Sequence, residues 1–140
     1  MTPPDLFEAF VLPFYEEAAQ RIRASGKIYV VHMDGRLKPL RDLIARSSIP
    51  VIESFSIPDI GGDMTIEEAC AAWPEKVILP NFPSVWCEKE DEAIRASLAN
   101  LLEAVPSDRG IIVQISEDLP SAPWRRAGRL LTEVAPSHSC

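Results

Sequence analysis

The sequence predicts an α/β fold built on a parallel sheet, and three observations carry that expectation. Four short apolar runs read as strands: "IYVVHMD" (28–34), "PVIESF" (50–55), "KVILPNF" (76–82) and "GIIVQISE" (110–117). Amphipathic patterns of helical period precede, separate and follow them, so the order reads αβαβαβαβα. The runs are continuous rather than alternating, which predicts strands covered on both faces, the habit of parallel sheets. Parallel neighbours need right-handed crossovers, and each interval is long enough to hold a helix.

The first helix opens in "TPPDLFEAF". Thr2 is placed to cap it, the prolines pre-set its first turn, and Asp5 lies three residues after the cap. Leu6, Phe10, Phe14, Ala18 and Ile22 recur every four residues and predict one inward stripe. Pro13 predicts a kink or a split, and Ser25–Gly26 the end. A second helix fits 36–46, with Leu37, Leu40 and Ile44 facing inward. A third opens where Thr65 and Glu68 have capping-box spacing. A fourth, over 88–104, buries Ile94, Leu98, Leu101 and Leu102. The last runs from 123 to 134 with Leu130, Leu131 and Val134 inward, leaving 136–140 as an expected disordered tail. Pro80 lies near the end of its strand, where a missing N–H matters least.

With 140 residues, the chain is expected to be a single domain over 1–140. A net charge of −7 argues against a nucleic-acid partner, which needs clustered Lys and Arg. The densest basic group, Arg125, Arg126 and Arg129, reads as a solvated helix face. No run approaches the roughly 20 apolar residues of a membrane span, and "MTPPDLFEAF" has no signal-peptide pattern. Cys70, Cys87 and Cys140 are far apart and form no C-x-x-C, so reduced thiols in a cytoplasmic protein are expected.

Each apolar run turns polar at its C-terminal end. The first finishes with His32 and Asp34, the second reaches Glu53, Ser54 and Ser56, the third gives Asn81, and the fourth ends at Ser116, Glu117 and Asp118. The C-terminal edge of a parallel sheet is where α/β proteins bind ligands. Taken singly, His32 reads as a hydrogen-bonded core histidine, Asp34–Gly35 as a turn, Glu53 as a cross-strand ion pair and Asn81 as part of a turn. Their convergence on one rim points to a site. Asp59-Ile60-Gly61-Gly62-Asp63 follows the second strand and reads as a mobile loop over that site rather than a phosphate cradle.

"PDLFEAFVLPFYEEAAQRI", "GKIYVVHMDGRLKPLRDLI" and "VILPNFP", followed by a terminal βα unit, resemble the C-terminal half of the uroporphyrinogen decarboxylase superfamily over about residues 3–135. The resemblance implies the C-terminal half of a (β/α)8 TIM barrel, four parallel strands with flanking helices and the site at the barrel mouth. It also implies a missing N-terminal half-barrel, or a second copy, to close the two open sheet edges. The superfamily holds the decarboxylase of porphyrin biosynthesis and metal-dependent methyltransferases that move methyl groups between corrinoid proteins or methylated substrates and thiols. The methyltransferases carry His-x-Cys-Gly where this chain has His32-Met33-Asp34-Gly35. His32 and Gly35 match, and Asp34 replaces the thiolate.

The resemblance therefore implies His32, Asp34 and Glu117 as catalytic residues and as ligands of a divalent metal, zinc by family preference, while the polar strand ends add Glu53, Asn81 and Asp118 as expected substrate-binding residues. One nitrogen and two oxygen donors make a harder set than zinc–thiolate and suit Zn²⁺, Mn²⁺ or Fe²⁺. A corrinoid protein is the implied partner in that branch. In the decarboxylase branch no cofactor is expected, and the same residues are acid–base and hydrogen-bonding groups. A non-catalytic remnant or subunit is the third expectation.

Overall fold

A computed structural model describes residues 2–107, 109–115 and 123–135. Helix α1 runs over 4–24 in three continuous pieces, α-helical Pro4–Leu6, π-helical Phe7–Val11 and α-helical Leu12–Ala24. Pro13 has no N–H and its ring crowds the preceding turn, so a regular α-turn cannot pass through it. The chain answers with a widened turn, in which the Leu12 N–H reaches back to Phe7 O. That turn replaces the expected kink. It also moves the inward face, burying Phe7 and Ala19 while Leu6, Phe10 and Phe14 stand 45%, 74% and 64% exposed. The stripe read from the four-residue period is corrected in its first three members. Tyr15 takes the inward place between Phe7 and Tyr29, edge to face with each at ring separations of 6.0 and 6.3 Å. Thr2 does not cap the helix; Pro3 occupies that position without a side-chain hydrogen bond.

Strands β1 (Val30–His32), β2 (Val51–Phe55), β3 (Val77–Phe82) and β4 (Gln114–Ile115) form one all-parallel sheet in the order β1-β2-β3-β4. Val30 pairs with Val51, and Val51 with Val77, in register. The strands are shorter than the apolar runs, and before β4 Ile111 bridges back to Ile78. The connections carry α2 (Arg41–Arg46), α3 (Ile66–Ala72) and α4 (Asp91–Glu103), and α5 (Trp124–Val134) follows β4. Single 3-10 turns at Lys38–Leu40 and Ser84–Glu88 lead towards α2 and α4, so the predicted α-helical starts at 36 and 88 lie later. The capping box of α3 is present in both directions: Glu68 N–H donates to Thr65 Oγ1 and Thr65 N–H to Glu68 Oε2.

Right-handed crossovers between neighbouring strands taken in sequence place the connecting helices on one face. The residues facing them are sealed: Val31, Ile52, Phe55, Ile78 and Phe82 are at most 5% exposed. They share one core with Leu40, Ile44, Trp73, Ile94, Leu98 and Leu130. The opposite parity is open along the flanking strands, with Val30, Val77 and Ile112 at 47%, 39% and 59%, while Val51 between them is buried. Among the described residues, then, β2 has buried residues on both faces, while the second face is open at Val30, Val77 and Ile112, so the two-sided burial inferred from the continuous runs holds only for the inner part of the sheet. β-branched residues suit either face of a pleated strand, so composition alone cannot tell a covered face from an open one.

Basic residues close the molecule at the strand starts and between the last helices. Buried Lys76 donates through Nζ to Ser47 O and Ile49 O, both at 2.8 Å, and burial pushes its ammonium pKa down. Arg109 donates to the carbonyls of Cys70, Trp73 and Lys76. The group expected to be a solvated face is largely a clamp. Arg126 donates to Asp91 Oδ1 at 2.5 Å and to Cys87 O and Lys89 O, while Arg129 donates to Asp91 Oδ2 and Glu133 Oε1. Arg125 remains exposed, over the Trp124 ring.

Candidate active site

The open face carries a continuous row of polar side chains contributed by all four strands. His32 ends β1 and is paired in register with Glu53 of β2. Their side chains lie on the same face, and His32 Nδ1 is 2.7 Å from Glu53 Oε2. On β3 and β4, Asn81 is paired in register with Gln114. Gln114 Nε2 donates to Asn81 Oδ1 at 2.5 Å and also to Glu53 Oε1. Asn81 Nδ2 donates to Ser54 Oγ at 2.7 Å. The row therefore reads His32–Glu53–Gln114–Asn81–Ser54.

Consecutive strand residues point to opposite faces, so Glu53 and Ser54 should not share a row. A β-bulge brings them together. Ile52 pairs with Ile78 and Phe55 with Pro80, so three steps on β2 match two on β3. Ser54 takes up the extra residue at φ 62°, the one non-glycine residue with positive φ among those described. The bulge also resets the alternation, returning Phe55 to the covered face, where its ring meets Trp73 edge-on at 6.2 Å. A serine held in the left-handed region costs about 1–2 kcal/mol relative to an ordinary strand conformation. Such strain gathers at functional sites more than elsewhere.

Burial grades along the row. Ser54 and Asn81 are 5% and 8% exposed. The Glu53 side chain is 24% exposed and the His32 side chain 55%. The inner end is thus fixed by protein contacts, and the outer end presents a largely exposed imidazole held through Nδ1. A carboxylate on Nδ1 orients the ring and supports the imidazolium, the arrangement found behind both catalytic and metal-ligating histidines.

Of the sequence-predicted residues, the structure brings His32, Glu53 and Asn81 together. Asp34 lies two residues past β1 and is exposed, outside the row. Next to it Gly35, at φ 72°, donates its N–H to Ser56 Oγ at 3.0 Å and holds the turn that follows the strand. Glu117 and Asp118 lie outside the described residues, as do Cys140 and the 136–140 tail. Among the described residues no group of three His, Cys, Asp or Glu side chains could hold a metal ion. Gln114 is the member that sequence reasoning missed. Its signal was present: it is the one polar residue inside the run "IIVQI", on the parity of Ile112.

The glycine loop after β2 is tied to its neighbours by hydrogen bonds at both ends. Asp59 Oδ2 accepts from Trp86 Nε1 at 2.8 Å, and Asp63 Oδ1 accepts from the Lys38 N–H at 3.0 Å. Gly62 lies so close to the backbone that an added Cβ would come within 1.8 Å of Ser56 O. Its glycine serves this internal contact. Burial pushes the Cys70 and Cys87 thiols up, against the opposing charges of Arg109 and Arg126. Neither has the lowered pKa of a thiolate nucleophile.

No protein-family model matches this chain, and no curated protein matches it. No helix among the described residues is long and apolar enough to cross a membrane.

Proposed function

We propose that this chain forms one wall of an enzyme active site at the C-terminal mouth of a (β/α)8 barrel of the uroporphyrinogen decarboxylase type, with His32 as its proton-transfer group. The observation that supports this reading is the row across four parallel strands, running from buried Ser54 to exposed His32. Core packing has no use for a histidine–carboxylate pair on an uncovered sheet face, and a lone surface pair contributes little stability. The unbroken strand order agrees with a barrel segment, since an open doubly wound sheet reverses order at its ligand site. In this reading the bare face with Val30, Val77 and Ile112 is barrel interior. A complementary half-barrel or a second copy of the chain closes it.

The chemistry follows from the geometry of the pair. His32 Nε2 accepts the proton of a bound thiol, Glu53 stabilises the resulting imidazolium, and the freed sulfur pair forms the bond to a methyl group as the donor's bond to that methyl breaks. The methyl donor is a corrinoid protein or a methylated small molecule. A divalent metal, zinc by family preference, would add Lewis acidity at the sulfur. His32 suits a ligand role through Nε2, and Asp34 is exposed two residues beyond it. Glu117, the third ligand implied by the resemblance, lies outside the described residues. A porphyrinogen-type decarboxylase is the second reading, favoured by a row made of acid–base and hydrogen-bonding groups. Glu53 and Asp34 would repel a polycarboxylate unless another chain supplies arginines.

The test begins with light scattering of the purified chain. The assembled species is then assayed for S-methylation of thiols by methylcobalamin and for porphyrinogen decarboxylation. Turnover of either kind that falls roughly 100-fold or more in His32→Gln is expected. An assembled particle inactive in both assays, or activity unchanged in His32→Gln, removes the proposal and leaves a non-catalytic subunit.

A further inference from the structure

Glu53 dictates the direction of every hydrogen bond in the row. An ionised carboxylate only accepts, so both groups facing it must donate. One is Nδ1 of His32, at 2.7 Å from Oε2. The other is the amide nitrogen of Gln114, on Oε1. With that nitrogen turned inward, the same NH2 group reaches Asn81 Oδ1 at 2.5 Å, so Asn81 must present its oxygen to Gln114. The Asn81 nitrogen then lies on the far side and donates to Ser54 Oγ at 2.7 Å. Flipping any one amide would set donor against donor or acceptor against acceptor. The far end is held by burial, and the bulge at Ser54 exists to bring that hydroxyl into line.

We propose that Glu53, Gln114, Asn81 and Ser54 are positioning residues that hold neutral His32 as its Nδ1–H tautomer, with the Nε2 lone pair on the open side. Which ring nitrogen carries the proton is set by the bond the other nitrogen makes, and here four residues from three strands set it together. The class of ligand follows. Neutral His32 meets a group that can give a proton, such as a thiol, a hydroxyl or an ammonium. It disfavours a bare carboxylate or phosphate dianion, whose lone pairs would oppose its own. This ligand class rests on the active-site reading above, whereas the tautomer does not.

The chain has two histidines, His32 and His138, so a His138→Gln background leaves a single imidazole to observe. Long-range ¹⁵N–¹H NMR at about two pH units above the ordinary histidine value reads the neutral tautomer directly. The Nδ1–H pattern is expected to dominate. The ratio of Nδ1–H to Nε2–H should fall about tenfold in Glu53→Gln and about threefold in Gln114→Leu. Ser54→Ala provides a second break at the far end, expected to lower the ratio in the same direction should Gln114→Leu fold poorly. An Nε2–H pattern in the background protein overturns the proposal. So does a ratio that stays constant through Gln114→Leu and Ser54→Ala, because Glu53 would then act without the rest of the row. A dominant Nδ1–H pattern that collapses in these variants, in a protein inactive in both assays, supports the positioning role and sinks only the active-site reading.

Discussion

The two faces of the sheet are made from the same strands yet obey different rules. On the helix side, Ile52, Phe55, Ile78 and Phe82 are essentially inaccessible and pack into one core. On the other side, valines and isoleucines of similar size stand open beside a polar row that grades from buried to exposed. One face holds the molecule together, and the other is arranged around hydrogen bonds that contribute little to stability. Mutations on the two faces should therefore have unlike consequences, and the contrast can be tested directly.

The largest contrast is expected between Ile52 and Ile112. Ile52→Ala removes a fully buried side chain and should cost about 2–5 kcal/mol. Ile112→Thr removes an isoleucine that is 59% exposed and should change stability by about 0.5 kcal/mol or less. Urea titrations of both variants measure the difference, and comparable losses would mean that the open face is covered in solution. Ser54 gives the next effect. Ser54→Val places a β-branched residue at φ 62° and removes the acceptor for Asn81, so a loss of about 2–3 kcal/mol is expected. Ser54→Gly relieves the backbone and loses only the acceptor. It should lie well above Ser54→Val in a thermal melt, and equal melting temperatures would rule out backbone strain as the cause.

The smallest effect concerns the clamp between α4 and α5. The guanidinium groups of Arg129 and Arg126 hold the Asp91 carboxyl below its usual range. A carboxylate with a lowered folded pKa contributes stability that is present above its unfolded value and lost as the pH falls through the folded one. The urea midpoints of the native chain and Asp91→Asn should differ at neutral pH and converge in acid. A gap that persists below both pKa values would show that Asp91 acts through packing. The pairs are exposed, so salt should narrow the gap at neutral pH as well.

Much of the fold could be read from local pattern. The strand positions, the capping box at Thr65 and Glu68, and the burial of Leu40, Ile44, Ile94, Leu98 and Leu130 all depend on neighbours within a few residues. The helix-face reading failed at Leu6, Phe10 and Phe14 because a proline forced a wider turn, which a fixed four-residue period cannot register. Arg125 and Arg129 are exposed as the solvated-face reading expects, but the ion pairs of Arg126 and Arg129 were not legible because their partner Asp91 is on another helix, 35 and 38 residues away. For the candidate site, His32, Glu53 and Asn81 were legible as polar residues ending apolar runs. Gln114 was not, since its role comes from Glu53, which is 61 residues distant in sequence.

The sequence by itself determined the alternation of strand and helix, the parallel habit of the sheet and the polarity of the strand ends, because hydrophobic period and turn chemistry are local. Only the tertiary structure decided which sheet face is covered, that Ser54 leaves the regular alternation, and that side chains from four strands join one hydrogen-bonded row. Those outcomes depend on strand order and register, which place residues from distant parts of the chain within hydrogen-bond reach and leave no trace in a local window.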